Sequence, residues 1–162
     1  NIPYEEVQLH RFPDAESKVR LPARIPERLI LCRSLDHPND KLIELLLAVE
    51  TARAAGAKHI TLVAPYLCYM RQDAAFHPGE AVSQRIIGRW LAGLFDTVIT
   101  VDPHLHRVQQ LSEVLPAKRA VTLSAGPLMA AYLRKHLGQV LLIGPDSESR
   151  QWVAQIAALA ER

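Results

Sequence analysis

Four short runs of almost unbroken apolar residues punctuate the chain, at 29–32, 60–64, 98–101 and 140–143. Runs of this length without alternation suit strands buried on both faces of a parallel sheet. Between them, apolar positions recur at helical spacing. Leu42, Leu45, Leu46, Val49 and Ala52 form one stripe, with Asn39-Asp40 as its candidate cap and Gly56 near its end. A second stripe starts at Ser83 and carries Ile86, Ile87, Trp90, Leu91 and Leu94. Ser124 opens a third helix, with Leu128, Met129, Tyr132 and Leu133 on its apolar face as far as Gly138. Ser147 opens a fourth, with Trp152, Ile156 and Leu159 inward. Upstream, residues 7–9 and 17–21 alternate polar and apolar, which predicts two short strands around a turn at Pro13-Asp14. Strands alternating with helices in this way predict an α/β sandwich, doubly wound on a parallel sheet.

In such a sheet, the loops that follow the carboxyl ends of the strands gather along one edge, where ligands bind. The run 60–64 leads into Arg71-Gln72-Asp73, 98–101 into Asp102 and His104, and 140–143 into Gly144-Pro145-Asp146. Arg71 can donate paired, charge-assisted hydrogen bonds to phosphate oxygens. His104 and Asp146 are suitable ligands for a divalent cation, and the carboxylate is the more Mg²⁺-like of the two. Each feature also has a plainer reading. Arg71 and Asp73 could form a surface ion pair, and Asp146 could cap the last helix in competition with Ser147. His104-Leu105-His106 alone is a weak metal signature. His10, His37, His59, His77 and His136 read as structural or surface groups, and both tryptophans as packing. The convergence of three loops on one edge favours the functional reading.

Composition narrows the partners. The 162 residues suffice for one domain with a sizeable core. A net charge of +2, with no block rich in Lys or Arg, gives no reason to expect nucleic acid or an anionic membrane. Cys32 and Cys68 stand far apart without a CxxC, so neither a disulfide framework nor a structural zinc is expected, and the cytoplasm is the expected compartment. Glu44 and Glu50 interrupt the richest apolar stretch, 42–55, which argues against a membrane span. The first residues resemble no signal peptide. The chain begins without methionine and stops at Arg162 in mid-pattern, as a piece of a longer protein would.

From about Leu9 onward the chain resembles the ribose-phosphate diphosphokinase (phosphoribosyl diphosphate synthetase) family. The resemblance rests, in order, on Phe12-Pro13-Asp14-Ala15-Glu16, Pro38-Asn39-Asp40, Pro65-Tyr66 through Arg71-Gln72-Asp73, Gly79-Glu80-Ala81-Val82-Ser83, and Val101-Asp102-Pro103-His104. Phe76, followed by Gly79-Glu80, is closer to the archaeal-type members. The resemblance implies two similar phosphoribosyltransferase-like halves. Residues 1–123 would be most of the first, without its first strand, and 124–162 the start of the second.

It also implies transfer of the diphosphoryl group of Mg-ATP to ribose 5-phosphate, giving phosphoribosyl diphosphate and AMP for nucleotide biosynthesis. By the family pattern, Arg71 and Gln72 contact ATP, with Asp73 adjacent. Phe12, Asp14 and Glu16 would form an adenine-side loop serving a neighbouring subunit, which implies a homo-oligomer, dimer or hexamer. His104 would help hold the Mg²⁺ bound to ATP, and Asp146 a second Mg²⁺ near ribose 5-phosphate. The family's catalytic loop and its acidic phosphate-binding loop are expected beyond Arg162, so the chain alone is expected to be inactive. Two departures stand out. Ala15 occupies a position that is usually glycine, at a cost of about 1 kcal/mol if the turn needs a positive φ. Ser147-Glu148-Ser149 replaces small, glycine-rich residues. The alternatives are a non-catalytic regulatory subunit associated with a synthetase, a different phosphoribosyltransferase without an ATP site, and, least favoured, a protein-interaction domain.

Overall fold

The computed structural model describes residues 3–137, 140–147 and 149–160. The chain forms two compact units, Asn1–Thr122 and Leu123–Arg162.

In the first unit the alternating segments pair as an antiparallel hairpin, β1 (Gln8–Arg11) with β2 (Ser17–Arg20), placing Leu9 opposite Val19. Four further strands form a sheet in the order β3 (Arg28–Cys32), β4 (His59–Ala64), β5 (Thr97–Val101) and β6 (Arg119–Leu123). β3 is parallel to β4, and β4 to β5. Helix α1 (Pro38–Ala54) connects β3 to β4, and α2 (Ser83–Leu94) connects β4 to β5. Right-handed crossovers between successive neighbours put both helices on the same face. One core accordingly joins Leu45 and Val49 of α1, Leu91 of α2, and Ile60, Leu62 and Val98 of the sheet.

The register explains which side chains point there. Leu31 lies opposite Leu62, and Leu62 opposite Val98, all buried. Ile30 sits on the other face and is 66% exposed, so β3 is covered on one side only rather than on both. In α2 the buried stripe is Gln84, Gly88, Leu91 and Leu94, whereas Ile86 faces outward. Gly88 permits a backbone approach: a Cβ there would stand 1.9 Å from the carbonyl oxygen of Val114.

Two sequence expectations are corrected. The strand β6 was not among the four predicted runs. The run 140–143 is irregular, with Leu141 84% and Ile143 81% exposed. A strand needs a neighbour to satisfy its backbone groups, and none is paired with this segment among the described residues. The described sheet therefore contains two of the three runs expected to lead into the site, those ending at Ala64 and Val101.

The second unit holds α3 (Gly126–His136) and α4 (Arg150–Leu159), packed around Ala130, Ile156 and Ala160. Leu128, Met129 and Tyr132, expected on a buried face, are exposed, as is Leu159. The inward positions of α3 are the small residues Gly126 and Ala130, which let α4 approach closely. Gly138 and Glu148 lie outside the described residues. No described helix is long and apolar enough to cross a membrane.

Candidate functional site

Because β4 and β5 are adjacent and parallel, the segments leaving their carboxyl ends run out at the same edge. After β4 the chain is anchored by buried Leu67, Cys68 and Met70. Burial pushes the Cys68 thiol up to about 11, so it is a packed apolar group rather than a nucleophile. Tyr69 adopts φ +60 and donates from its hydroxyl to Asn39 Oδ1 at 2.5 Å. Asn39 thus ties α1 to this loop and does not cap the helix; the N-cap is His37, at φ +46 and without a side-chain cap bond.

Arg71 is exposed, and Gln72 is half-buried with its amide on the Ala74 carbonyl at 3.0 Å. Asp73 is paired with Arg107 rather than Arg71. Its Oδ1 accepts from Arg107 Nε at 3.2 Å, the side chain is 6% exposed, and Oδ2 is buried without a hydrogen-bond partner. Further along, Glu80 accepts from the Phe76 N–H at 2.7 Å and lies 2.6 Å from His77 Nδ1. The His77 contact, with the backbone bond, holds its carboxyl below the ordinary range.

After β5, Asp102 takes φ +40, Pro103 is buried and His104 is half-buried, its ring 6.0 Å from that of His106. Gln84, at the start of α2, joins the two loops. It is 1% exposed, its Nε2 donates to the carbonyls of Met70 at 3.0 Å and His104 at 3.4 Å, and its own N–H donates to Gln72 at 3.1 Å. Sequence reasoning missed both Gln84 and Arg107. Gln84 had a signal: it is a polar residue at a position of α2 that shares a face with Gly88 and Leu91.

The other expected residues belong to other segments. Phe12, Asp14 and Glu16 form the exposed turn of the hairpin, closed by the Phe12 N–H on the Glu16 carbonyl at 2.8 Å. Ala15 there has φ +72, and Asp14 Oδ1 accepts from the Glu16 N–H at 3.2 Å. The Phe12 ring meets His10 edge-on at 4.7 Å, with Lys18 Nζ 6.0 Å from its centroid. In the second unit, exposed Asp146 accepts from the Ser149 N–H at 2.9 Å, and Ser149 Oγ donates to its carbonyl at 2.6 Å. Asp146 therefore closes the turn that precedes α4. Among the described residues, no three His, Cys, Asp or Glu side chains gather as a metal site.

Comparison with known proteins adds to this geometry. A family profile for the N-terminal domain of ribose phosphate pyrophosphokinase matches residues 1–94. A ribose-phosphate pyrophosphokinase of Methanopyrus kandleri is 32% identical over 156 residues, covering 94% of this chain and 52% of that protein. One from Saccharolobus solfataricus is 44% identical over 107 residues, covering 64% of this chain and 37% of that protein. The crystal structure of phosphoribosylpyrophosphate synthetase from Mycobacterium smegmatis superposes with a TM-score of 0.80 at 21% identity, over 98% of this chain and 54% of that one. The fold is α/β of the phosphoribosyltransferase-like type. Within that class, the chain belongs to the ribose-phosphate pyrophosphokinase family. It spans about half the length, or less, of the relatives named.

Proposed function

We propose that the protein to which this chain belongs is a ribose-phosphate diphosphokinase, transferring the diphosphoryl group of Mg-ATP to ribose 5-phosphate in nucleotide biosynthesis. The observation that carries the reading is the joining of two loops at one sheet edge. Exposed Arg71 and half-buried His104 lie on the segments that follow adjacent parallel strands, and Gln84 bonds both segments. Arg71 suits phosphate oxygens through its planar fork, and Gln72 offers an amide beside it.

The donor set fits a cation that arrives with its nucleotide. His104 supplies one nitrogen, no cluster of three protein ligands gathers among the described residues, and Mg²⁺ ordinarily keeps phosphate and water ligands. When bound, such a cation neutralises phosphate charge. Asp146 is the residue offered to a second Mg²⁺, and one of its oxygens already holds the Ser149 N–H. Phe12, Asp14 and Glu16, on an exposed turn, are the adenine-side contacts for a neighbouring subunit of a homo-oligomer, in a cytoplasmic enzyme. The reading assigns no turnover to these 162 residues by themselves: at this edge Arg71 is the cation offered to phosphate, Arg107 being engaged by Asp73, and phosphoryl transfer needs charge stabilisation around the whole reacting group.

The test is calorimetric titration of the chain with ATP, with and without Mg²⁺, together with an assay for AMP release in ribose 5-phosphate. Mg²⁺-dependent ATP binding that Arg71→Ala abolishes supports the reading. Absence of ATP binding, or turnover by the isolated chain comparable to an intact synthetase, refutes the respective part.

A further inference from the structure

We infer that Gln84 is a positioning residue that fixes Arg71 against His104. The inference rests on the reading of Arg71 as the nucleotide contact and His104 as the cation contact. Its structural basis is one residue meeting both loops. Arg71 lies between two carbonyls, Met70 and Gln72, and both accept hydrogen bonds from Gln84, one from its side chain and one from its backbone. The same side-chain nitrogen donates to the carbonyl of His104 itself. A primary amide has two N–H groups on one planar nitrogen, so its two bonds set the loops in a fixed mutual orientation. The side chain is 1% exposed, which keeps water from competing for those carbonyls.

The choice of side chain is specific. Methionine has a similar length and apolar bulk but no donor. Asparagine keeps the amide on a stem one methylene shorter, which cannot span both carbonyls. A residue serving only to fill the core would tolerate methionine well. Asp73 and Arg107 cross the same gap by an ion pair at 3.2 Å, so the two loops stay linked when one tie is cut. Loss of Gln84 should therefore alter their alignment rather than unfold them.

The test uses the 162-residue chain and its Gln84→Met and Gln84→Asn variants. Hydrogen–deuterium exchange reads the ties without ligand, and calorimetry reads ATP affinity with and without Mg²⁺. The expected result is faster exchange in both 70–73 and 103–107, and Mg-ATP affinity lower by about tenfold. Affinity for ATP without Mg²⁺ should change much less, because only the complex needs both loops in register. Equal weakening with and without Mg²⁺ would mean a purely structural residue and overturn the inference. So would variants that bind Mg-ATP as the parent does, and in that case the proposed function stands. A parent chain that binds no Mg-ATP removes the proposed function, and this inference with it, even if exchange in both loops responds to the variants.

Discussion

Asp96 Oδ2 accepts a hydrogen bond from Arg53 Nη2 at 2.7 Å, joining the start of β5 to the last turn of α1. Its other oxygen takes Lys118 Nζ at 2.6 Å, just before β6, and Oδ2 also accepts the Ile60 N–H at 2.9 Å. One buried carboxylate thus clamps three strands and a helix at the edge opposite the candidate site. Burial alone would raise its pKa, but Lys118, the Ile60 amide and Arg53 together hold it well below the ordinary value of 3.8.

The sign of the pH dependence follows. A carboxyl whose pKa is lower when folded gives stability that is complete above its unfolded value and lost as pH falls below it. Asp96→Asn should cost about 2 kcal/mol at pH 7 and flatten the acid limb of the stability profile below about pH 4. Urea denaturation at a series of pH values reads both. An unchanged acid limb would mean that other carboxylates carry it.

At the hairpin turn, Ala15 adopts φ +72, where a Cβ crowds its own backbone. Ala15→Gly should stabilise the chain by up to about 1 kcal/mol, the relief of strain being partly offset by the freer unfolded chain. A urea midpoint that falls instead would show that the turn is held without strain.

Gly88 offers the opposite case. A methyl group there would overlap the Val114 carbonyl at 1.9 Å, so α2 must move or the following segment must yield. Gly88→Ala should cost about 2 kcal/mol or more despite the better helix propensity of alanine. Thermal unfolding checks this, and a melting temperature equal to that of the parent contradicts it.

The Asp73–Arg107 pair predicts non-additivity. Arg107→Ala leaves a nearly buried carboxylate without its cation, at a cost of about 2 kcal/mol. Adding Asp73→Asn should recover part of that loss, with a coupling of about 1 kcal/mol in a double-mutant cycle. Additive effects would mean that the pair is solvated in solution.

The sequence pattern located β3, β4, β5, α1 and α2 because each carries its own apolar signal. It passed over β6 because Arg119 and Thr122 break both the continuous and the alternating templates. It took 140–143 for a strand because apolar content is local, whereas pairing is not. The same distinction applies at the site. Arg71 and His104 were legible as polar groups in the segments that follow strands. Gln84 and Arg107 act across 14 to 34 residues of chain, and nothing in their own segments names their partners. The link from Tyr69 to Asn39 escaped notice for the same reason, and with it the identity of the α1 cap.

The clamp at Asp96 and the ties at Gln84 hold opposite ends of the same strands by different physics. One end depends on full charges, the other on neutral amide, carbonyl and phenol groups together with the Asp73–Arg107 ion pair. A highly charged ligand of the kind proposed, brought to the loop end, does not compete for the ions at Asp96, and Arg71 there remains exposed to solvent. The charges that secure the far end of the sheet are therefore not those such a ligand would meet, and the tie between the loops that added salt leaves in place is the amide of Gln84 rather than the half-exposed Asp73–Arg107 pair.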